Sequence, residues 1–305
     1  MTVIVFGSIN MDLVARTPRL PIHGETLTGH SFTTIPGGKG ANQAVAVARL
    51  GVATQLVGRV GNDSFGQELL ASLQATGVGC DRVLIDPITH SGVAVIAVDD
   101  RGENHIIIVP GANGQVSLAD VDLLHRLLPA ASVLLLQLEI PMPVIIAAAQ
   151  AAKQAGVRVI LDPAPAPSEL PPQLYPLIDI LTPNQVEASQ LVGFAVDDLE
   201  SVANAAVILR QRGVGAVIIK LGGKGALCST ADDSFLIPTF PVSVVDTVAA
   251  GDAFNGGLAA ALAEGLTLRQ AGRWAAAAGA LAVTKPGAQP SMPTREELHA
   301  LLEQP

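Results

Sequence analysis

The feature that most constrains this chain is an alternation: short apolar, β-branched runs keep giving way to Ala- and Leu-rich stretches with helical spacing. TVIVFGS at 2–8 reads as a strand, and GANQAVAVARLGV at 40–52 as a helix ended by Gly51. ATQLVGRV follows as a strand, then DSFGQELLASLQATG as a helix with an Asp start and a Gly stop. The rhythm resumes with SVLLLQL, a helix over 143–155, VRVILD, DILTPN, helices over 185–192 and 197–212, and AVIIKLGG. Strands that alternate with helices form parallel βα units, and their sheet is buried on both faces.

Two regions break the rhythm. Residues 12–36 hold no convincing helix, and ETLTGHSFTTI within them suits an extended β segment. HSGVAVIAVDDRGENHIIIV at 90–109 reads as two strands joined by a turn at Asp99–Gly102. Two strand excursions from an α/β domain predict a small β lid. Its place is over the carboxyl ends of the parallel strands, where open α/β sheets bind ligands. The expected division is an α/β core of residues 1–11, 37–89 and 111–305 and a β lid of 12–36 and 90–110.

The chain has ample material for a core, with 49% hydrophobic residues among 305. Its net charge of −9, with no basic run, argues against nucleic acid as a partner. Cys80 and Cys228 have neither metal nor disulfide spacing and suit a reducing cytoplasm. MTVIVFGSINMD has no basic start and soon turns polar, so it reads as a first strand rather than a signal peptide. SVLLLQLEIPMPVIIAAAQAA is interrupted by Gln137, Glu139 and two prolines, whereas a membrane span needs ~20 apolar residues in a row. No membrane partner is expected.

Polar clusters fall just past the predicted strands. They are GSINMD with Asn10 and Asp12, PGGKGANQA with Lys39 and Asn42, Glu139, Asn184 with Glu187, the LGGKG loop at 221–225, and DTVAAGD with Asp246 and Asp252. Each has a plain alternative. Asn10 and Asp12 suit turn caps. Glu139 suits a solvated acid at a helix start, and Asn184-x-x-Glu187 has capping-box spacing. Asp252 suits an ordinary helix-dipole partner. Neither glycine run has P-loop spacing, which needs four residues between Gly and Gly-Lys.

Convergence at one edge of a sheet favours chemistry instead. Carboxylates and amides suit the hydroxyls of a polyol, and a glycine-rich backbone suits a nucleotide's phosphates. Asn184 and Glu187 suit a hydrated Mg²⁺, which needs few carboxylates. An Asp at a helix N-terminus suits a base beside a bound phosphate.

GSINMD, GGKGANQA, GNDSFG, QLE, TPNQVEA, KLGGKG, DTVAAGDAFNG and VTKPGAQPS occur in an order that resembles the PfkB carbohydrate-kinase family over essentially the whole chain. GGKGANQA and A-A-G-D resemble the two family signatures. GGKGANQA with QLE points to the members that act on D-ribose. The resemblance implies a three-layer α/β/α core with a mainly parallel sheet and a small β-sheet lid. It implies ATP-dependent phosphorylation of the 5-hydroxyl of D-ribose.

It places Asn10, Met11, Asp12, Gly38, Lys39, Gly40, Ala41, Asn42 and Glu139 at the sugar. It places Asn184, Lys220, Leu221, Gly222, Gly223, Lys224, Gly225, Gly251 and Ala276 at ATP, with Asn184 and Glu187 organising Mg²⁺-bound water. Asp252, in contact with both substrates, is implied as catalytic base, and Ala249, Ala250 and Gly251 as an anion hole. A K⁺ site would use Asp246, Val248, Ala282, Lys285, Gly287 and Ser291. The resemblance also implies a homodimer through the lids. The apolar edges of VAVIAV and HIIIV favour the same pairing of two copies.

Three positions depart from the family pattern. Val248 stands where Thr is frequent, and Ala276 where some members have a polar residue near adenine. Ala249–Ala250 stands where many have Gly-Ala, a change expected to matter little. The competing readings are another sugar or nucleoside kinase acting on deoxyribose, fructose or a nucleoside, and a catalytically silent sugar-binding protein. A dinucleotide oxidoreductase is disfavoured because no strand–GxGxxG–helix unit opens the chain.

Overall fold

The structure, a computed structural model, describes residues 1–304. The first half of the chain runs β1 (Thr2–Phe6), β2 (Asn10–Thr17), β3 (Ser31–Gly37), α1 (Lys39–Arg49), β4 (Ala53–Gly61), α2 (Ser64–Ala75), β5 (Gly79–Asp86), β6 (Gly92–Asp99), β7 (Asn104–Val109), α3 (Leu118–Leu127) and β8 (Ala131–Leu136). It continues with α4 (Met142–Gln154), β9 (Arg158–Leu161), β10 (Ile180–Leu181), α5 (Gln185–Val192), α6 (Leu199–Gln211), β11 (Ala216–Lys220), β12 (Ala226–Ser229), β13 (Ser234–Ile237), α7 (Ala250–Ala263), α8 (Leu268–Ala282) and α9 (Arg295–Leu302).

Among the described residues the strands form two sheets. The large one has the order β13-β12-β11-β10-β9-β8-β1-β4-β5, and the small one β3-β2-β6-β7. From β5 across to β11 every neighbouring pair is parallel. Only the β12–β13 edge turns back antiparallel.

β1 shows why the fold has three layers. Val3 and Val5 point into a core shared with α1, α2, α7, α8 and α9. Ile4 and Phe6 point into a second core shared with α3, α4, α5 and α6. Successive side chains of a strand face opposite ways, so an unbroken apolar run leaves no face for water and demands a helical layer on each side. The α/β/α layering expected from the alternation is the one observed.

Some elements carry a weaker pattern. β5 and the β12–β13 hairpin lie in stretches with no clear periodic signal. α3 is not among the expected helices, although Ser117-x-x-Asp120 caps it and Val121 and Leu124 recur at helical spacing. ETLTGHSFTTI is regular strand only from Ser31 onward. Pro18, Pro21 and Gly24 interrupt the stretch before it, and an Arg19–Glu25 ion pair braces it instead.

The small sheet leaves the core at one place. Asn10 at the start of β2 pairs with Gly92 at the start of β6 and with Gly37 at the end of β3. Asp63 caps α2 by accepting from Gly66 N–H at 2.7 Å, and the same carboxylate accepts from Ser91 N–H at 2.7 Å, just before β6. One side chain thus sets a helix start and the position of a small-sheet strand.

Candidate active site

The carboxyl ends of neighbouring parallel strands supply most of the site. Ser8 follows β1, Gln137 and Glu139 follow β8, Asp162 follows β9, Asn184 follows β10, and Lys220 ends β11. The N-termini of α1 and α7 point to the same edge, so orphan N–H groups and two positive dipole ends gather there.

Asp252 lies in the first turn of α7 and is 5% exposed. Its Oδ2 accepts from Asn42 Nδ2 at 3.0 Å, and its Oδ1 from Gln43 Nε2 at 3.0 Å. Burial pushes its pKa up to about 6. The Lys39 charge opposes the shift, Asp162 adds to it, and the two amide bonds oppose it. The ordinary aspartate value of about 3.9 therefore does not describe this group. Burial acts to lower the pKa of Lys39, but Asp252, Asp162, Glu139 and Glu187 outweigh it and hold the ammonium above its usual range.

On one side of Asp252 stand the residues assigned to the sugar. Asn10 is buried, and its Oδ1 accepts from Asn113 Nδ2 at 2.7 Å. Burial, then the charges of Glu139 and Asp252, push the Asp12 carboxyl up to about 7. Glu139 accepts from Ser8 Oγ and, at 3.4 Å, from Lys39 N–H. It therefore faces the first turn of α1 and is not a free acid at the start of α4, the helix that follows it.

Other members of this set turn elsewhere. The Met11 and Ala41 side chains are 0% exposed in the hydrophobic core. Gly40 packs on the backbone after β1, where a methyl group would come within 2.6 Å of the Gly7 carbonyl carbon. Gly38, at φ 90, lies equally close to Asn10, so its place is set by close backbone packing and a left-handed turn.

On the other side opens a cleft of about 750 Å³ that extends from Lys39 and Asp252 past Asn184, Glu187 and Lys220 to Ala276. Asn184 and Glu187 form the capping box their spacing predicts, with Glu187 N–H on Asn184 Oδ1 at 2.8 Å and Asn184 N–H on Glu187 Oε2 at 2.7 Å. Both still face the cleft, and burial holds Glu187 above its usual range against the pull of Lys220. Gly222, Gly223 and Gly225 line the same wall. Leu221 is buried in the core and Lys224 is exposed, so neither side chain lines the cleft.

The start of α7 bears out its unusual sequence. Ala249 takes φ 56, the one non-glycine residue with positive φ among those described. A left-handed residue with a Cβ costs roughly 1–2 kcal/mol. The Ala in place of Gly therefore does matter: the turn that presents the α7 N-terminus is held under strain. Ala250 N–H donates to Thr247 O, while Gly251 and Asp252 N–H find no backbone acceptor among the described residues.

Asp246 ties two loops. Its Oδ1 accepts from Val248 N–H at 3.0 Å and its Oδ2 from Gly287 N–H at 2.9 Å. Nearby, Lys285 N–H donates to Ala282 O and Ser291 Oγ donates to Ala288 O, while the Lys285 ammonium turns away to Glu297.

Two residues at the centre were not singled out by sequence. Gln43 and Asp162 are buried, and both sit within hydrogen-bond reach of the groups above. Asp162 carries the same signal as the other members, a polar residue just past a strand. Gln43 lies inside GGKGANQA, but within the helical part of it nothing local sets it apart from its neighbours.

This geometry agrees with comparison to known proteins. The model of the pfkB family carbohydrate kinases matches residues 2–295. A ribokinase of Haemophilus influenzae is 42% identical over 99% of this chain and 98% of its own length. A deoxyribokinase of Salmonella typhi is 36% identical over 99% of each chain. The structure of Arabidopsis thaliana ribokinase complexed with ribose and ATP superimposes with a TM-score of 0.92, at 37% identity and 99% coverage of both chains. The chain belongs to the pfkB family of carbohydrate kinases.

Proposed function

We propose that this chain transfers the γ-phosphoryl group of ATP to the 5-hydroxyl of D-ribose, giving D-ribose 5-phosphate and ADP. The observation that carries the reading is the place of Asp252. It is a buried carboxylate with a raised pKa, in the first turn of a helix, between a cluster of hydroxyl-binding groups and a glycine-lined cleft. Such a group takes the proton of an acceptor hydroxyl as the phosphoryl arrives. The α7 N-terminus, with Ala249, Ala250 and Gly251, stabilises charge on the transferring group. Asn10, Asp12, Lys39, Asn42 and Glu139 hold the sugar, and Asn184, Lys220 and the 222–225 loop hold ATP, with Ala276 at the base end.

The residues fit Mg²⁺ held through water. Among the described residues no three His, Cys, Asp or Glu side chains form a metal cage. Mg²⁺ needs only one or two carboxylates beside the phosphates. Asn184 and Glu187 would hold that water, and the ion would supply neutralising charge at the phosphates. Asp246, with the loops of Val248, Ala282, Lys285, Gly287 and Ser291, offers a carboxylate, carbonyls and a hydroxyl, which suit K⁺.

The small sheet serves as a lid, and two copies pair through it. β7 is exposed along its length, with Ile106, Ile107 and Ile108 at 53%, 64% and 42%. Such an apolar edge is suited to meeting its own copy. Work in the cytoplasm is in keeping with two free cysteines. No described helix is long and apolar enough to cross a membrane.

Steady-state ADP release with D-ribose, 2-deoxy-D-ribose, D-fructose and a nucleoside tests the reading. D-ribose is expected to give the highest kcat/KM, by about tenfold over 2-deoxy-D-ribose, the cost of one buried polar group left unpaired. Faster turnover of 2-deoxy-D-ribose would favour the second reading, a deoxyribose kinase. No sugar-dependent ADP would leave a silent binder. The same assay in K⁺, Na⁺ and tetramethylammonium salts is expected to run fastest in K⁺, and light scattering is expected to show a dimer.

A further inference from the structure

Gln43 has no task in phosphoryl transfer as described, yet it occupies the centre of the site. It is 0% exposed and follows Asn42 on α1. Its Nε2 is 3.0 Å from Asp252 Oδ1 and 3.1 Å from Asp162 Oδ2. Ionised carboxylates only accept hydrogen bonds. The amide must therefore turn its NH₂ group to both acids, one hydrogen to each. Its Oε1 then faces Gln137, whose Nε2 donates to it at 2.7 Å. The second oxygen of Asp162 accepts from Lys220 Nζ at 3.0 Å. A methyl group on Gly251 would lie 3.4 Å from that ammonium, which places Lys220 beside the start of α7. A hydrogen-bonded chain thus runs from Asp252 through Gln43 and Asp162 to Lys220.

We propose that Gln43 is a positioning residue for phosphoryl transfer: it fixes the Asp252 carboxylate and ties it, through Asp162, to the ammonium at the phosphate side of the site. The proposal rests on the reading of Asp252 as base. Asn42 anchors only one oxygen of Asp252, and a carboxylate held at one point can still swing. The second anchor stops that motion. The amide also separates two buried acids that repel each other and would otherwise move apart or take up a proton.

The test is kinetics of Gln43→Leu and Gln43→Glu with whichever panel sugar the wild type turns over best, so that an error in the sugar leaves the comparison intact. Gln43→Leu is expected to lower kcat about 10²-fold, the scale of a misplaced reacting group. The KM for sugar and for ATP should stay within about threefold, because Lys220 keeps its own bond to Asp162 and the other binding groups make no hydrogen bond to Gln43.

Gln43→Glu keeps one donor while its new carboxyl is protonated. The groups facing that position are Asp252 of α7, Asp162 after β9, Lys220 of β11 beyond Asp162, and Lys39 of its own helix. Ionisation sets a third negative charge beside the two acids. The kcat of this variant relative to wild type should therefore fall as pH rises from about 6 to about 8. Lost packing alone gives no such dependence, and this variant carries the test if Gln43→Leu does not fold. Wild-type kcat in Gln43→Leu, a loss confined to KM, or a wild-type pH profile in Gln43→Glu overturns the proposal. A wild type that turns over no sugar at all removes the reading of Asp252, and this proposal with it.

Discussion

The tetrapeptide Gly-Gly-Lys-Gly occurs twice, at 37–40 and at 222–225, and the two copies share little beyond their letters. In the first, Lys39 stands among four carboxylates that keep it charged despite burial. Its glycines are crowded, and Gly37 lies where a methyl group would meet the Asp12 carboxylate. In the second, Lys224 is exposed, and a methyl group on Gly222 or Gly223 would have nothing within 4 Å. Glycine answers two needs here. At 37–40 it permits close approach of backbone to backbone and to side chains. At 222 and 223 it leaves a wall bare for a ligand, with φ 58 at Gly222 turning the loop, while Gly225, at φ 89, is crowded like the first copy, since a methyl group there would meet Ile237 O at 2.1 Å.

The sharpest way to test that difference is to remove the acid around which the first copy is organised. Asp252→Asn keeps the shape and cannot take a proton, so kcat should fall by about 10²–10⁴-fold. KM values for ATP and sugar should change little. In the wild type, kcat should fall as pH drops through about 6, because the base is protonated below its raised pKa. That limb should be missing from the variant. A variant that kept more than half of wild-type turnover would leave Asp252 as a helix-dipole residue and deprive the first copy of its special status.

Exchange of the two lysines comes next. Lys39→Met strips four carboxylates of a shared cation, and kcat/KM is expected to fall about 10–100-fold, the worth of a charged hydrogen bond in a buried site. Lys39 holds the Asp252 pKa down, so its loss should also move the acidic limb to higher pH. Lys224→Met removes an exposed charge and should change kcat/KM by no more than about twofold. Similar losses in the two variants would erase the contrast.

The two copies also mark how far sequence alone can be read. The layering was legible because β1 interleaves two apolar sets, Val3 with Val5 and Ile4 with Phe6, and each needs its own cover. The edge that carries the site was legible because Asn10, Glu139, Asn184 and Lys220 all lie at or just past a strand end. What was not legible depends on packing between distant segments. Nothing local tells Lys39 from Lys224. Glu139 meets the start of α1, far away in sequence, rather than its own helix. Gln43 reaches Gln137 and Asp162 only because α1 lies across the ends of β8 and β9. Ala249 gives no sign in its letters of the positive φ that the α7 turn imposes on it.

The smallest expected effect separates the glycines themselves. Gly40→Ala drives a methyl group to within 2.6 Å of the Gly7 carbonyl carbon and 2.7 Å of Ser8 N, all backbone that cannot swing aside. Overpacking of this kind costs about 1–3 kcal/mol, and denaturant unfolding should show it. Gly223→Ala meets nothing within 4 Å, and its φ lies outside the positive region. Its effect on stability should be within about 1 kcal/mol and on the favourable side, since alanine narrows the unfolded ensemble. The new methyl would instead project where the cleft wall is bare, so the KM for ATP should rise while the KM for sugar does not. Equal destabilisation at the two positions would show that Gly223 is packed like Gly40, and the 222–223 turn would then lose its claim to be an open wall for phosphates.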